Sequence, residues 1–215
     1  MLWAWELSTD LRFVGAREAG VAYHFANLHL DKTGVSPYPR RQPLLTTPGA
    51  FLMPVVRIDF DEHVPFSTAQ REAAAGMIEE ALNISKAHAI QIDFDAPRSA
   101  YPFYRALLAD VRRRIGPRVF LSITALESWC GAGSWMKNLP VDEIVPMAFQ
   151  TNPVLPDNFA FPACQTSIGV LSAAPLPRIG GRRVFAFPGY GREGWDVEKV
   201  DHLRHMLKKR ENNLS

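Results

Sequence analysis

The amino-acid sequence predicts an α/β fold, a lean (β/α)8 TIM barrel in which loops replace some of the helices. Short apolar segments recur along the 215 residues, mostly about 20 to 35 residues apart, as repeated βα units should. Polar or helix-forming stretches separate them. No glycine-rich phosphate loop follows the first segment, which disfavours the rival arrangement, an open doubly wound sheet. We expect a single domain over residues 1–215.

The apolar segments themselves are the predicted strands. There are eight of them: Leu2–Glu6, Val21–Leu28, Phe51–Phe60, Ala89–Asp95, Val119–Ala125, Glu143–Gln150, Gln165–Leu171 and Arg183–Pro188. The stretch Asp31–Gly49 is rich in proline, so we predict an extended loop there. Pro146 lies inside the sixth strand, where it removes a ladder hydrogen bond, and it predicts a local bulge.

Three helices are marked by a capping residue followed by an apolar face. Ser67 begins a capping box, and the apolar residues between Ala74 and Leu82 then recur at helical spacing. Ser99 is predicted to cap the second helix, and Asp196 the third.

Composition and charge narrow the classes of function. Lys and Arg total 24 against 22 for Asp and Glu, a formal net charge of +2, so nothing indicates a nucleic-acid partner. No apolar run reaches the roughly 18 residues of a membrane helix. Residues Met1–Glu6 do not resemble a secretory signal. We therefore expect a cytoplasmic protein as the chain stands, or a periplasmic or secreted one if an N-terminal signal has been lost.

The sequence indicates neither a disulfide framework nor a metal site. Cys130 and Cys164 are too few for a framework; they would pair only if the fold brings them together, and two buried thiols are the commoner outcome. His24 and His29 are five residues apart in or near one strand, so they point to opposite faces. Because the usual paired-ligand and serine-hydrolase motifs are also absent, we predict no metal and no other cofactor.

Two neighbouring strands carry charged residues on the face that points into the predicted barrel. Side chains alternate along a strand, so Gln91, Asp93 and Asp95 share one face of the fourth strand. Arg57 and Asp59 share the corresponding face of the third. Inner barrel layers are normally apolar, and barrel enzymes place their chemistry at the C-terminal mouth. Asp95, at that mouth, is therefore the first candidate for a functional role.

Arg57 is expected to pair with Asp93, and this pair has two interpretations. It could be a buried ion pair that only fixes the core. Alternatively, Arg57 holds Asp93 ionised while Asp95, nearer solvent and repelled by that charge, keeps its proton longer. Glu6, at the end of the first strand, and Glu127, after the fifth, are candidates for a second catalytic carboxylate or for acceptors of sugar hydroxyls. Simple solvation is the alternative for both.

Aromatic side chains gather near the same end of the predicted barrel. Flat apolar rings beside carboxylates suit the faces of pyranose rings, although core or loop anchoring is the commoner role of tryptophan. The residues predicted to bind substrate are Gln91, Arg57, Asp59, Trp5, Trp129, Tyr190 and Trp195.

Three short segments carry a resemblance to known proteins. Gln91-Ile-Asp-Phe-Asp-Ala96, together with Leu121-Ser-Ile-Thr-Ala125 and Ser128-Trp-Cys130, resembles a bacterial family of unknown function that is grouped with the glycoside-hydrolase TIM barrels. The resemblance covers residues 2–150 well and the rest more loosely. It implies the barrel fold but no particular reaction.

A more distant likeness is to the chitinase-like glycoside hydrolases. Their fourth strand ends in Asp-x-Asp-x-Glu, the Glu being the acid, and Gln91, Asp93 and Asp95 fall on those places. Their sixth strand carries Met-x-Tyr-Asp, where this chain has Phe149 and Gln150 in the last two positions. The missing hydroxyl and carboxylate, and the shorter acid, depart from what substrate-assisted cleavage of N-acetyl sugars requires.

These observations predict a glycoside-hydrolase-like barrel acting on a glycan or oligosaccharide. Asp95 would be the general acid, Asp93 its electrostatic partner, and Glu6 or Glu127 the second carboxylate. One alternative is a non-catalytic carbohydrate-binding barrel, in which the same carboxylates only accept hydrogen bonds from sugar hydroxyls. Another is a metal-dependent deacetylase using Asp93 and Asp95, which lacks an evident histidine pair. The sequence indicates no oligomeric state.

Overall fold

A computed structural model describes residues 1–131, 134–149, 163–164, 166–174, 176, 183–189 and 193–212. Eight strands form a closed, all-parallel barrel, because the first strand pairs on one side with the last and on the other with the strand that follows it in the sheet. The predicted (β/α)8 TIM barrel with helices replaced by loops is thereby confirmed.

All eight predicted strands are present, and three further short strands lie among them. In chain order the strands are β1 Leu2–Ala4, β2 Thr9–Leu11, β3 Val21–Asp31, β4 Gly34–Pro39, β5 Leu44–Thr46, β6 Leu52–Phe60, β7 Ala89–Asp93, β8 Phe120–Leu126, β9 Glu143–Met147, β10 Ser167–Leu171 and β11 Arg183–Phe187. The barrel order is β1, β3, β6, β7, β8, β9, β10 and β11. β4 adds to β3 as an antiparallel hairpin, and β2 pairs with β5.

The described part of the chain holds three α-helices: α1 Thr68–Ser85, α2 Tyr101–Ile115 and α3 Val197–Asn212. α1 begins as predicted, with the Ser67 hydroxyl accepting from the Gln70 amide and the Gln70 side chain accepting from the Ser67 amide. The Asp196 carboxylate accepts from the Lys199 amide at the start of α3. Among these residues no helix is long and apolar enough to cross a membrane.

Three local predictions were wrong. Residues 31–49 were predicted as a loop but contain β4 and β5: Pro37 and Pro39 lie in the edge strand β4, where a missing amide is tolerated, and Pro43 and Pro48 lie outside both strands. Ser99 does not cap α2; it lies in a 3-10 turn, Arg98–Ala100, that leads directly into the helix. Pro146 causes no bulge against β8, where it pairs in register with Ala125. In the described part of the sheet, the pairing of β3 with β6 shifts register between His24 and Ala26.

Near the mouth of the barrel the pairing between β1 and β3 stops and leaves a gap, which we call the seam. β1 pairs with β3 only as far as Tyr23, after which β3 pairs with β4 on that side. The Arg40 guanidinium, just after β4, bridges the gap by donating to the carbonyls of Trp5 and Leu7. This side chain supplies hydrogen bonds at the point where the strand ladder stops.

A buried, hydrogen-bonded polar network lies in the barrel interior beside an apolar cluster that includes Trp3, Met53 and Phe185. The Glu143 carboxylate is buried and accepts from the hydroxyls of Ser122 and Ser167 and from the Arg183 guanidinium. The Gln91 amide donates to the Ser122 hydroxyl. Because every group has a partner, this network costs little to bury and joins β7, β8, β9, β10 and β11 through the lumen.

The upper loops are tied by a disulfide. Cys130, in the 3-10 turn Glu127–Cys130 after β8, is bonded to Cys164, which lies shortly before β10. Two buried thiols were the expected outcome, and that expectation was wrong. Spacing in the sequence could not show that the turn after β8 meets the segment before β10. The bond links two loops at the C-terminal end of the barrel.

Candidate active site

The centre of the candidate site is the Arg57 guanidinium on β6. Its Nη1 lies 2.6 Å from Asp93 Oδ2, its Nε lies 3.1 Å from Asp59 Oδ1, and its Nη2 lies 3.5 Å from Asp95 Oδ2. Although burial opposes it, the surrounding carboxylates, Asp93 foremost, raise the pKa of Arg57. One permanent cation therefore organises three carboxyl groups at the C-terminal ends of two adjacent strands.

Asp93 is the buried member of the cluster. Its side chain is 1% exposed, and β7 places it directly beside Arg57 in the ladder. Besides the bond from Arg57, its Oδ1 accepts a 2.6 Å hydrogen bond from the Thr124 hydroxyl of β8. The Arg57–Asp93 pair is present as the sequence predicted, and both carboxylate oxygens of Asp93 are occupied.

Asp95 lies two residues beyond β7 and differs from Asp93 in its surroundings. Its side chain is 37% exposed, yet its Oδ1 is buried and has no hydrogen-bond partner. Burial raises the pKa of Asp95, and the negative charge of Asp93 raises it further, while Arg57 opposes them. A carboxyl that keeps its proton longer and is open to solvent on one side can donate that proton to a bound molecule.

Glu6 lies near the seam and is already engaged by the protein. Its Oε1 accepts from the backbone amides of Arg41 and Gln42, and its Oε2 lies 3.1 Å from His24 Nδ1. Burial raises the pKa of Glu6, but these hydrogen bonds outweigh it and lower the pKa overall. Burial lowers the pKa of His24 despite the opposing carboxylate of Glu6. Glu6 thus fastens the segment after β4 to the end of β1.

The remaining predicted carboxylates have different surroundings. Asp59 is 39% exposed at its side chain and accepts from the Asn27 amide of β3 as well as from Arg57. It therefore belongs to the Arg57 cluster. Glu127 is buried in the 3-10 turn after β8. Simple solvation was the alternative that the sequence left open for Glu127, and its burial contradicts that alternative.

The aromatic residues predicted to contact ligand are not all at the mouth. Trp5 is half-buried near the mouth, with its ring against His24 and Phe187. Trp129 is buried between Tyr101 and Trp135. Their placement leaves Trp5 as the better candidate for a sugar-stacking surface.

Two further predicted binding residues occupy structural positions, and one cannot be placed. Trp195 is 8% exposed, packs in the layer outside the barrel and donates from its indole to the Trp3 carbonyl, which argues against stacking on a ligand. Gln91 is 0% exposed and its amide oxygen accepts from the Trp3 indole. It lies below both Asp93 and Asp95 on the same strand face, and its full burial leaves it no surface open to a sugar hydroxyl. Tyr190 lies outside the described residues, as does Gln150.

Sequence reasoning missed Tyr104. Tyr104, on α2, is fully buried against Phe94, the residue between the two site aspartates. Burial, followed by the charges of Asp93 and Asp95, raises its pKa well above the ordinary value. The signal was present in the spacing 104, 107, 108 and 111, which is a helical core face.

The described residues contain no group of three His, Cys, Asp or Glu side chains placed to hold a metal ion.

No family model and no curated protein matches the chain. Among solved structures, the chain is similar to the chitinase domain of the spore coat protein CotE from Clostridium difficile, with a TM-score of 0.51 and 16% identity over 95% of this chain and 70% of that one. It also aligns with phosphoribosyl anthranilate isomerase from Thermus thermophilus, with a TM-score of 0.49 and 11% identity over 97% and 98% of the two chains. At such identity the likeness to the chitinase domain concerns the fold. The chain has a TIM-barrel fold.

Proposed function

We propose that the protein acts on a glycan at the C-terminal mouth of the barrel, with Asp95 as the general acid. The observation that carries this proposal is the raised pKa of Asp95 in a carboxyl that is 37% exposed at its side chain. The chitinase-domain fold and the mouth position of Asp95 support it. Nothing in the cluster requires a metal ion for this step.

In the proposed reaction Asp95 gives its proton to the oxygen of a glycosidic bond. The bond between that oxygen and the anomeric carbon breaks, the leaving sugar departs as an alcohol, and positive charge develops on the remaining ring. Asp93 raises the pKa of Asp95 by its charge, while Arg57 fixes the positions of both carboxyl groups. A carboxylate or a water molecule on the opposite face then completes the substitution.

We propose Glu6 or Glu127 as the second carboxylate; Glu6 is the more exposed of the two. A separation of about 5 Å from Asp95 would give retention of configuration, and about 6.5–9.5 Å would give inversion. The stereochemistry of the product, followed by NMR, would distinguish these cases.

The second candidate function is a non-catalytic carbohydrate-binding barrel. It is favoured by one specific observation: both oxygens of Glu6 accept hydrogen bonds within the protein. In this case Asp59 and Asp95 would only accept hydrogen bonds from sugar hydroxyls, and Trp5 would stack on a ring.

The experiment that tests both functions combines binding with turnover. A panel of neutral oligosaccharides, acidic glycans and sugar phosphates is read by thermal shift, and each stabilising compound is then incubated with the protein and analysed for products. Asp95→Asn should abolish product formation but not binding, whereas Asp201→Asn, which removes the same charge from the outer helix α3, should change neither. Binding without turnover by the unaltered protein would favour the second function. Stabilisation by sugar phosphates alone, fading as salt rises, would overturn both.

A further inference from the structure

The hairpin of β3 and β4 forms one wall of the barrel mouth. Both strands continue beyond the point where β1 stops pairing with β3, so β4 takes the place beside β3 that β1 holds lower down. One side of the hairpin packs against α1, with Leu28, Leu30 and Val35 contributing to the hydrophobic core. The other side continues the interior surface of the barrel. The residues on that side, which we call the hairpin face, are Asn27, His29, Ser36 and Tyr38.

The register of four neighbouring strands joins the hairpin face to the candidate site. Asp93 pairs with Arg57 on β6, and Arg57 pairs with Asn27 on β3. Asn27 in turn pairs with Tyr38 on β4. Paired residues of adjacent strands present their side chains on the same face of a sheet. The Asn27 amide also donates to Asp59, so the hairpin face is bonded directly to the Arg57 cluster.

The register shift in β3 gives the hairpin face this orientation. His24 pairs with Val55 on β6, and His29 pairs with Asp59. Because Val55 and Asp59 are four residues apart in one strand, they share a face, and both histidines lie on the interior side. The five-residue spacing of the histidines predicted opposite faces. That expectation was wrong, because the shift between His24 and Ala26 adds one residue to β3 and changes the alternation.

The side chains of the hairpin face are available to a molecule bound at the mouth. Within the described residues, the side chains of His29, Ser36 and Tyr38 make no hydrogen bond and no ring contact, and Tyr38 is 52% exposed. An open aromatic ring beside a hydroxyl and an imidazole matches the apolar face and the hydroxyl groups of a pyranose. None of the three carries a permanent charge, and the carboxylates of Asp59 and Asp93 are close by. The surface therefore suits a neutral sugar better than an acidic or phosphorylated one.

The hairpin face lies too far from the proposed acid to contact the same sugar ring. Tyr38 is three strand spacings from Asp93, roughly 14 Å along the sheet at about 4.8 Å per spacing. Asp95 follows two residues after Asp93 in the same segment. A single pyranose with its glycosidic oxygen at Asp95 does not extend across three strands to Tyr38, whereas a chain of sugar units does.

We propose that the hairpin face binds neutral sugar units of an oligosaccharide or polysaccharide, on the side of the mouth away from β7. The Tyr38 ring stacks on one unit, and the side chains of His29 and Ser36 form hydrogen bonds to its hydroxyls. The placement of the neighbouring unit at Asp95 rests on the proposed function. The substrate is accordingly a sugar chain and not the glycoside of a single sugar.

The test measures binding as a function of chain length. Neutral oligosaccharides of one to six units, built from glucose, xylose, mannose or N-acetylglucosamine, are titrated by calorimetry into Asp95→Asn, in which they are not consumed. Affinity should rise with length until the sugar chain reaches the hairpin face. Adding Tyr38→Ala should weaken binding of the longest compounds about tenfold through loss of one aromatic contact, and should leave single sugars unaffected.

Phe51→Ala is the matched control, because Phe51 is also an open aromatic residue, 50% exposed, and it directly precedes β6 at the opposite end of the barrel. It should leave the affinity unchanged. In the unaltered protein, the imidazole NMR signals of His29 should shift when the longest oligosaccharides are added. Those of the exposed His202 on α3 should not. The two sets of signals are assigned by their loss in His29→Gln and His202→Gln.

Three results would overturn the role of the hairpin face: equal affinity at every length, a Tyr38→Ala effect no larger than that of Phe51→Ala, or a His29 signal that no oligosaccharide moves. Turnover of long oligosaccharides that Tyr38→Ala leaves unchanged would refute this role and leave the proposed function standing. Length-dependent binding that requires Tyr38, in an unaltered protein that forms no product, would refute the general-acid role of Asp95 alone.

Discussion

The pair of Arg57 and Asp93 allows a quantitative test of the site. We expect Arg57→Met and Asp93→Asn each to destabilise the fold, and the double variant to lose less than the sum of the two. Two unit charges about 4 Å apart interact by about 4 kcal/mol at an effective dielectric constant of 20. Arg57 is 34% exposed, so solvent screening should reduce this coupling to about 2 kcal/mol.

The single variants should differ in a way that the structure explains. Arg57→Met leaves three carboxyl groups without their shared cation, and removing one partner of a buried pair costs about 3–5 kcal/mol. Asp93→Asn retains an oxygen that can accept from Thr124, so its loss should be smaller. Urea unfolding of the four proteins gives the coupling directly, provided that the m-values agree. A coupling below about 0.5 kcal/mol would refute the interpretation of Arg57 as the organising cation.

Four further predictions follow from particular residues. Asp95→Asn should be as stable as the unaltered protein or slightly more so at pH 7, because the raised pKa means that ionisation of Asp95 costs folding energy; this advantage should vanish below about pH 4 in thermal scans. His24 is kept neutral in the fold by its lowered pKa, so the free energy of unfolding should fall as the pH drops below about 6.5. His24→Gln should flatten that pH dependence, and an equal slope in the two proteins would contradict this role of His24. Replacing both Cys130 and Cys164 by Ala removes a cross-link between residues with a sequence separation of 34 and should cost about 4 kcal/mol, while a thiol assay on the denatured, unreduced protein should find no free thiol. Gly169→Ala would place a Cβ 2.8 Å from the Trp3 ring, and calorimetry should show a loss of about 1–3 kcal/mol; an unchanged Tm would mean that the lumen is looser than described.

Much of the fold was predictable because the barrel strands are short apolar runs separated by polar stretches. Val21–Leu28 and Ala89–Asp95 were recognised in this way, with ends that differ from β3 and β7 by only a few residues. The edge strand β4 was missed because prolines normally mark loops, and nothing local in the sequence reveals that β3 continues beyond β1 to form a hairpin with it. The disulfide was missed for the same reason, since it depends on two distant loops meeting.

The same distinction between local sequence patterns and contacts of distant segments applies to the site. Alternation along a strand was enough to place Arg57 beside Asp93 and Asp95 beyond them. Alternation could not show that backbone amides near the seam would donate to the Glu6 carboxylate, because those amides belong to a segment more than thirty residues away. Tyr104 was missed because a buried tyrosine on a helix has the same sequence pattern as any other core residue.

The hairpin strand β4 pairs only with β3 among the described strands, so its other edge is free. The eight barrel strands have no such edge, because they close on one another. An exposed edge is a template on which a strand from another molecule can grow. Pro37 and Pro39 occupy alternate positions of β4, and alternate residues of a strand direct their backbone groups to the same side. The Arg40 amide donates to the Phe25 carbonyl of β3, so by alternation the positions of Pro37 and Pro39, which have no N–H, face the outer side of β4. The strand that fastens the mouth of the barrel thus also protects the protein against intermolecular β-sheet aggregation.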